Sequence, residues 1–205
     1  MSRDTVVVIK SVNYSEADRV LTVFGKEHGK FTLFAKGIRK INSRNRGNMQ
    51  TLCISDISFY EGKGLPVLME SQLTYSPDID VLKNRTNNLK RVLFMLNRML
   101  AEQDPNERVF DMLASVLKRN FDDESINRFR VIFLREMGFL QDFSKCYICG
   151  IDHDLVALDV SNFALLCKNC YSSKGNYHML GDNPYDKDFF TKALDVYVKR
   201  VIEEI

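Results

Sequence analysis

The sequence of 205 residues contains no hydrophobic stretch long enough to cross a membrane or to form the core of a signal peptide. Its longest apolar runs, Val92–Leu96 and Phe163–Cys167, have five residues each, whereas a membrane-spanning helix needs about 20. The first residues lead directly into the β-branched run Val6–Ile9 and do not resemble a targeting segment. We therefore expect a cytoplasmic protein without a membrane anchor.

Motifs of catalysis are missing as well. The sequence has no phosphate-binding G-x-x-x-x-G-K-[ST] loop, no G-x-G-x-x-G and no H-E-x-x-H. Its three histidines, His28, His153 and His178, belong to no recognisable nucleophile–base arrangement. His153 follows the first cysteine pair and is at most a neighbour or a weak substitute ligand there. We predict a protein that is not an enzyme and has no catalytic residues.

Acidic residues are absent from one stretch near the N-terminus. No Asp or Glu occurs between Glu27 and Asp56, and residues 1–47 carry ten Lys and Arg against four Asp and Glu. The remaining residues carry nineteen Lys and Arg against twenty-three Asp and Glu. The net charge of +2 is therefore the sum of a basic N-terminal part and a slightly acidic remainder. This asymmetry indicates contact with a polyanion, although a merely solvated loop has the same composition. The candidate phosphate-binding residues are Lys30, Lys36, Arg39, Lys40, Arg44 and Arg46.

Short β-strands dominate the first eighty or so residues. The β-branched and aromatic runs are Val6–Ile9, Val20–Phe24, Phe31–Ala35, Ile54–Tyr60 and Pro66–Thr74. Five short strands with glycine-containing turns predict a small closed barrel. Its size of about eighty residues fits an oligonucleotide-binding barrel, which the pattern alone does not separate from an SH3-like barrel.

The hydrophobic period becomes helical after Pro77. Apolar residues at helical spacing begin near Leu89, Val109 and Ile126, and Gly138 is placed to end the third helix. Burial against one another or against the barrel explains these stripes better than a cofactor site does. The predicted domains are a barrel at 1–77, a helical domain at 78–142, a cysteine module at 143–178, and a C-terminal helix at 179–205 that packs on the helical domain.

Four of the five cysteines form two closely spaced pairs. Cys146 and Cys149, like Cys167 and Cys170, are separated by two residues, so that a tight turn can direct both sulfur atoms toward one metal ion. Two such pairs with 17 residues between them predict a zinc ribbon with one structural zinc ion and no open coordination position. Cys53 lies far from them and is expected to be a small buried apolar side chain.

The cysteine pairs have three alternative interpretations: an iron–sulfur cluster, two disulfides and a thioredoxin-like redox site. An iron–sulfur cluster accepts the same four ligands and stays open as an alternative. Two disulfides would be unusual in a reducing compartment, and a thioredoxin-like site needs one such pair after a strand in a βαβ unit. That context is missing around Cys146 and Cys167.

Three stretches resemble the RecO family of recombination mediators. Tyr14–Arg19, followed by Phe24–Lys30, resembles the first barrel hairpin of that family. Ala35–Lys40, together with Arg44, Gly47 and Gln50, resembles its basic loop. Phe129–Leu140, leading into Lys145–Gly150, resembles the helix that runs into its zinc module. The resemblance covers residues 1–170 and implies an α+β fold of several modules: an N-terminal five-stranded oligonucleotide-binding barrel, an α-helical body and a four-cysteine zinc ribbon.

The resemblance also implies a function. A RecO-like protein binds single- and double-stranded DNA, anneals complementary strands, and works with RecR to help RecA displace single-strand binding protein. The predicted DNA contacts are then the six cations named above, and the predicted metal ligands are the four paired cysteines. The alternative is a zinc-ribbon module that docks protein partners or regulates them without annealing DNA.

The sequence departs from the family pattern at two places within the matched region. Met49–Leu52 lacks the proline–phenylalanine pair that commonly follows the glutamine in that position. Ser161–Phe163 stands where a glycine-rich turn usually precedes the second cysteine pair. The first of these departures is a local change in the barrel.

Overall fold

The computed structural model describes residues 1–119, 121–140, 143–172, 175, 177–180 and 187–205. They form two compact units, Met1–Asp122 and Asp123–Ile205. The first unit contains β1 (Ser2–Asn13), β2 (Arg19–Gly25), β3 (Gly29–Ala35), α1 (Asn45–Asn48), β4 (Ile54–Tyr60), β5 (Val67–Tyr75), α2 (Ile79–Asn84), α3 (Thr86–Met99) and α4 (Glu107–Leu117). The second contains α5 (Asp123–Glu136), β6 (Leu155–Asp159), β7 (Ala164–Cys167), β8 (Tyr177–Met179) and α6 (Lys187–Glu204). No helix within the described ranges combines the length and apolar composition that a membrane crossing requires.

Strands β1 to β5 form a closed barrel in the order β1-β2-β3-β5-β4, which confirms the five-stranded barrel predicted from the sequence. The barrel closes through a short parallel contact between β3 and β5, where Phe34 pairs with Val67. Strand β1 pairs with β4 along its first half and with β2 along most of its length, and its register shifts between Val8 and Lys10. This topology matches the oligonucleotide-binding barrel.

The inward-facing side chains of the barrel are apolar and buried. Strand alternation places Leu21 and Val23 inside, while Val20 and Thr22 face outward and are half-buried. Two residues from the segment between β3 and β4, Ile38 and Met49, join the same core at 1% and 0% exposure. The segment is therefore fixed to the barrel at both of its ends.

Helices α3 and α4 cover one end of the outer barrel surface. The ring of Phe24 lies 5.9 Å from that of Phe110 in α4, and Asn97 Nδ2 in α3 donates to the Ile9 carbonyl at 3.2 Å. Gly29 has φ +68°, and a Cβ there would lie 2.5 Å from the backbone of Asp104. The connection between α3 and α4 thus approaches the β2–β3 hairpin so closely that only glycine fits at its turn.

Two further helices pair within the second unit. Asn127 of α5 donates to Thr191 of α6 at 2.7 Å, and the buried guanidinium of Arg130 contacts the Asp195 carboxylate at 2.6 Å. Helix α5 belongs to the same compact unit as the four paired cysteines, whereas α3 and α4 belong to the barrel unit. The finer domain boundaries at 77, 142 and 178 stay predictions.

Candidate nucleic-acid interface and metal centre

The cationic stretch forms a loop between β3 and β4, here called the basic loop (residues 36–50). It leaves β3 through a turn at Gly37, which has φ +66°, a backbone conformation that favours glycine. Ile38 and Met49 point into the barrel core, so the loop cannot lift away without exposing apolar surface. Between them, the polar and charged residues of the loop face outward.

The turn between β1 and β2 holds the first part of the basic loop. Asp18 Oδ1 accepts a hydrogen bond from the Gly37 amide at 2.7 Å, and the Arg39 amide donates to the Ala17 carbonyl at 2.9 Å. The guanidinium of Arg39 also donates to the Ser15 carbonyl. The hydrogen bond from Gly37, followed by that from Ser15, lowers the pKa of Asp18, so this carboxylate is charged at neutral pH.

Strand β5 holds the second part of the basic loop. Asn45 Oδ1 accepts from the Ser71 amide at 3.0 Å and from its hydroxyl at 2.8 Å. Asn48 Nδ2 donates to the Ser71 carbonyl at 2.7 Å, and Ser55 Oγ donates to the Asn48 carbonyl at 2.6 Å. The loop is therefore fixed to both neighbouring parts of the barrel, and its cations are presented on a defined backbone.

The structure brings five of the six predicted cations together on this loop. Within the described part of the chain, none of the five forms an ion pair with a carboxylate. Arg39 is half-buried, and the other four are exposed: Lys36, Lys40, Arg44 and Arg46. Their ammonium and guanidinium groups are available to a polyanion.

Lys30 lies apart from the other five. It is 8% exposed, and its Nζ donates to the Asn97 carbonyl at 3.3 Å and pairs with Glu102 at 3.3 Å. Its backbone carbonyl accepts from the Gln103 amide at 2.8 Å. These contacts give Lys30 the role of joining β3 to the end of α3, so its ammonium is already engaged within the protein and is not among the proposed DNA contacts.

Removing the Asp18 carboxylate tests whether the loop anchor matters. Asp18→Ala takes away a negative charge, which by electrostatics alone would strengthen binding of a polyanion. We expect the opposite, a loss of DNA affinity of about threefold or more, because the Gly37 amide loses a charged acceptor and the cations lose their fixed positions. Faster hydrogen exchange at Gly37 in the variant checks the cause.

Glu16→Ala is the matched control for that variant. Glu16 is exposed in the same turn, so its loss changes the charge equally without touching the anchor, and DNA affinity should rise slightly or stay unchanged. Because the pKa of Asp18 is lowered in the folded protein, the anchor is fully present above the ordinary carboxyl pKa. It is lost as the pH falls through the lowered folded value. Equal affinities for the two variants would contradict a role for the anchor.

The four paired cysteines converge as their spacing predicts. The sulfur atoms of Cys146, Cys149, Cys167 and Cys170 all lie within 4.8 Å of one another, with 3.7 Å between Cys149 and Cys167. A tetrahedral zinc site with Zn–S distances of about 2.3 Å has sulfur atoms roughly 3.8 Å apart. All five cysteines of the chain are free thiols, and this group could bind one metal ion.

Two similar turns position the four sulfur atoms. The Gly150 amide donates to the Cys146 carbonyl at 2.8 Å, and the Tyr171 amide donates to the Cys167 carbonyl at 2.9 Å. Gly150 has φ +77°, which lets the first turn close. Cys146 and Cys167 are buried against Ala157 and Leu166, whereas Cys149 is exposed. One side of the cluster is therefore built into the β6–β7 ribbon and the other reaches the surface.

The cluster already favours a thiolate at one position. Burial raises the pKa of Cys146, but hydrogen bonds from backbone amides, those of Cys149 and Cys167 first, outweigh it and lower that pKa to about 6. The pKa of Cys170 is raised to about 12, first by its hydrogen bond with Cys149 and then by burial. One negative charge among four close sulfur atoms disfavours a second, and a cation at their centre would remove that repulsion.

Cys53 and His153 take no part in the four-cysteine cluster. Cys53 is 1% exposed in the barrel, which confirms it as a small buried side chain. His153 is exposed and its Nδ1 lies 3.2 Å from the Asp152 carboxylate.

The turn before the second cysteine pair, which is glycine-rich in the family pattern, is held in this chain by the side chain of Asp159. Its carboxylate accepts from the backbone amides of Ser161 and Asn162 at 2.8 and 3.2 Å, and from the Asn162 side chain at 2.7 Å. Phe163 adopts φ +47° and is 1% exposed. The carboxylate and the buried ring hold in place a turn that glycine otherwise supplies by its conformational freedom.

The chain thus combines a five-stranded barrel of the oligonucleotide-binding type, a helical body and a four-cysteine cluster, which defines an α+β class of multi-module proteins. The model for "Recombination protein O N terminal" matches residues 1–77, and that for "Recombination protein O C terminal" matches residues 91–179. The chain belongs to the RecO family, whose curated members are named DNA repair proteins, and membership supports a role in recombinational repair.

Curated relatives match over most of this chain. The DNA repair protein RecO of Thermodesulfovibrio yellowstonii is 33% identical over 180 residues, which cover 84% of this chain and 70% of that protein. That of Desulforamulus reducens is 31% identical over 170 residues, 80% of this chain and 66% of that protein. That of Syntrophomonas wolfei is 27% identical over 184 residues, 84% of this chain and 72% of that protein. The chain thus spans about two thirds of the length of these relatives.

Proposed function

We propose that this protein is a non-enzymatic recombination mediator that binds single- and double-stranded DNA through the basic loop. The DNA contacts are Lys36, Arg39, Lys40, Arg44 and Arg46. Each neutralises a backbone phosphate and releases condensed counterions, which gives affinity with little dependence on base sequence.

The basic loop is fixed to the barrel by hydrogen bonds and by buried side chains, and this anchoring is the main support for the proposal. Its cations are spread over a backbone segment fixed by Asp18 on one side and Ser71 on the other, with Ile38 and Met49 buried beneath it. A flexible basic segment would lose conformational entropy on binding DNA, and this loss would offset part of the favourable electrostatic free energy. A segment that is already fixed avoids most of that loss. A module that only docks proteins has no need for such an acid-free, anchored surface.

Strand annealing follows from the same chemistry. A protein that grips phosphates leaves the pairing edges of the bases free, so two bound strands can find each other by base pairing. Neutralising the phosphates of both strands also reduces their mutual repulsion. We propose that the protein anneals complementary strands in this way and, together with RecR, helps RecA to replace single-strand binding protein. Its proposed site of action is the cytoplasm, at the nucleoid.

The four-cysteine cluster is proposed to hold one structural zinc ion. Four thiolates fill a tetrahedral coordination sphere, so no position is left for water or substrate and the ion stabilises without catalysing. In this chain the ion would tie the turn at Cys146–Gly150 to the turn at Cys167–Tyr171, and thereby fix the β6–β7 ribbon. Its role is then separate from that of the basic loop.

Salt titration of DNA binding tests the proposal directly. Labelled single-stranded and duplex DNA should both bind, and affinity should fall steeply as salt rises, with a logarithmic slope of about −0.7 to −0.9 per phosphate contact. Unchanged binding across the salt range, or no binding at low salt, would favour the protein-docking alternative.

A further inference from the structure

A row of outward-facing side chains crosses the part of the barrel that α3 and α4 leave uncovered. The strand registers place Val12, Val20, Phe34, Val67 and Tyr60 side by side on β1, β2, β3, β5 and β4. Val12 is 48% and Tyr60 58% exposed, and the three between them are half-buried. Outward residues nearer the β2–β3 hairpin, such as Phe24, are buried beneath the helices. We call this set the open row.

Tyr14 stands over the open row on a turn that is held in place. Its ring meets that of Phe34 edge-on, with centroids 5.4 Å apart and planes at 88°, yet the residue is 70% exposed. The Tyr14 amide donates to the Asp18 carbonyl at 3.1 Å, and Ser15 Oγ donates to the Asp18 carboxylate at 2.9 Å. An aromatic ring is therefore fixed with most of its surface in solvent, although burial of that surface would be favourable.

The turn that carries Tyr14 is the same turn that holds the basic loop. Asp18 binds the Gly37 amide, and the Ala17 carbonyl accepts from Arg39. Phe34, whose ring backs Tyr14, lies in β3, and Lys36, the first loop cation, directly follows the last residue of that strand. Glu16 is the exposed acid in this turn, and it is outnumbered by the loop cations. Aromatic surface and cationic surface are thus continuous.

We infer that Tyr14, backed by Phe34, is a stacking platform for an unpaired base. An unpaired base offers its face to a ring, and a groove of positive charge beside the ring follows the attached phosphates. A duplex keeps its base faces stacked inside, so it reaches the loop cations but not the platform. Single-stranded DNA is therefore held by bases and phosphates, and duplex DNA by phosphates alone. The inference rests on the proposed DNA-binding function and adds strand preference to it.

Removing the ring should weaken one DNA form selectively. Tyr14→Ala is expected to lower affinity for an oligothymidylate by about fivefold or more, the lower bound for losing one stacked base. Affinity for a duplex should change by less than about twofold, and the salt slopes for both should stay as in the wild type. Tyr14→Phe keeps the ring and should bind like the wild type. Phe94→Ala removes a 44% exposed ring on α3 and is the matched control.

Tryptophan fluorescence tests directly whether a DNA base contacts the ring at position 14, which a purely structural role of Tyr14 would not produce. The chain contains no tryptophan, so Tyr14→Trp introduces a single reporter at the platform. Its emission should be quenched by an oligothymidylate, reversibly with salt, and little changed by a duplex at equal occupancy. A Phe94→Trp reporter should respond to neither. Thermal unfolding of each variant confirms that the barrel is intact, as expected for a residue as exposed as Tyr14.

The outcomes separate this inference from the function on which it rests. Wild-type protein that binds neither DNA form in a salt-dependent way removes the proposed function. Wild-type protein that binds both, combined with a Tyr14→Ala variant that loses neither or loses both by the same factor, overturns only the platform. The absence of a selective loss in Tyr14→Ala is also the result expected if a segment of a protein partner, and not DNA, binds the open row.

Discussion

Replacing Lys36, Lys40 and Arg44 by glutamate is expected to abolish DNA binding at physiological salt while leaving the fold intact. All three side chains are exposed and form no ion pair within the described residues, so the barrel does not depend on them. Three lost phosphate contacts reduce the logarithmic salt slope for single strands by about 2, and the three new negative charges repel the strand as well. Fluorescence anisotropy over a salt series measures both effects.

The matched control reverses three lysines outside the loop. Lys83, Lys90 and Lys118 are exposed on or beside the helices of the same unit, so their replacement by glutamate changes the net charge by the same amount. This variant should keep most of the affinity and nearly all of the salt slope. If it lost as much affinity as the loop variant, net charge and not the anchored loop would account for binding.

Removing the proposed zinc ion, or one of the four cysteines proposed to bind it, is expected to unfold the cysteine module. Cys167→Ser replaces a buried ligand in β7, and structural zinc contributes roughly 10–16 kcal/mol to the folding of small zinc modules. We expect one equivalent of zinc in the purified wild type, almost none in the variant, and loss of protection from hydrogen exchange in β6 and β7. Treatment of the wild type with a chelator should produce the same loss, and added zinc should reverse it.

Cys53→Ala is the control for that experiment, since Cys53 lies in the barrel and outside the cluster. It should keep a full equivalent of metal. The metal-free or Cys167→Ser protein should still bind DNA through the barrel, because the basic loop and the four paired cysteines belong to different compact units. Iron in place of zinc, with a visible absorption band, would contradict the assignment of the ion. Four thiols that react quickly with an alkylating agent in the untreated protein would contradict metal binding altogether.

The parts of the structure that the sequence predicted are those set by local patterns. Strand alternation around Val20–Phe24 and the helical spacing from Val109 follow from residues close in sequence, and both elements form as expected. The cysteine pairs converge because a two-residue spacing favours one turn geometry. Helix α2 was not predicted, since it buries none of its residues and therefore shows no apolar stripe.

The parts that the sequence did not reveal depend on distant contacts. Lys30 reads as one more cation of the basic stretch, yet α3 covers it and Asn97 and Glu102 engage its ammonium. Nothing near Lys30 in the sequence indicates which end of the barrel the helices cover. In the same way, the link from Asp18 to Gly37 spans nineteen residues. The only local hint was the serine–aspartate pair at 15 and 18, which is typical of a structured turn.

The most direct test is the annealing of complementary single strands coated with single-strand binding protein, followed for the wild type and for the Lys36, Lys40 and Arg44 variant. We expect the wild type to accelerate annealing in a salt-sensitive manner and the loop variant to give no acceleration. The variant at Lys83, Lys90 and Lys118 should behave as the wild type does. A wild type that fails to accelerate annealing, or a loop variant that accelerates it equally, would contradict the central claim that the anchored basic loop is the DNA-handling surface.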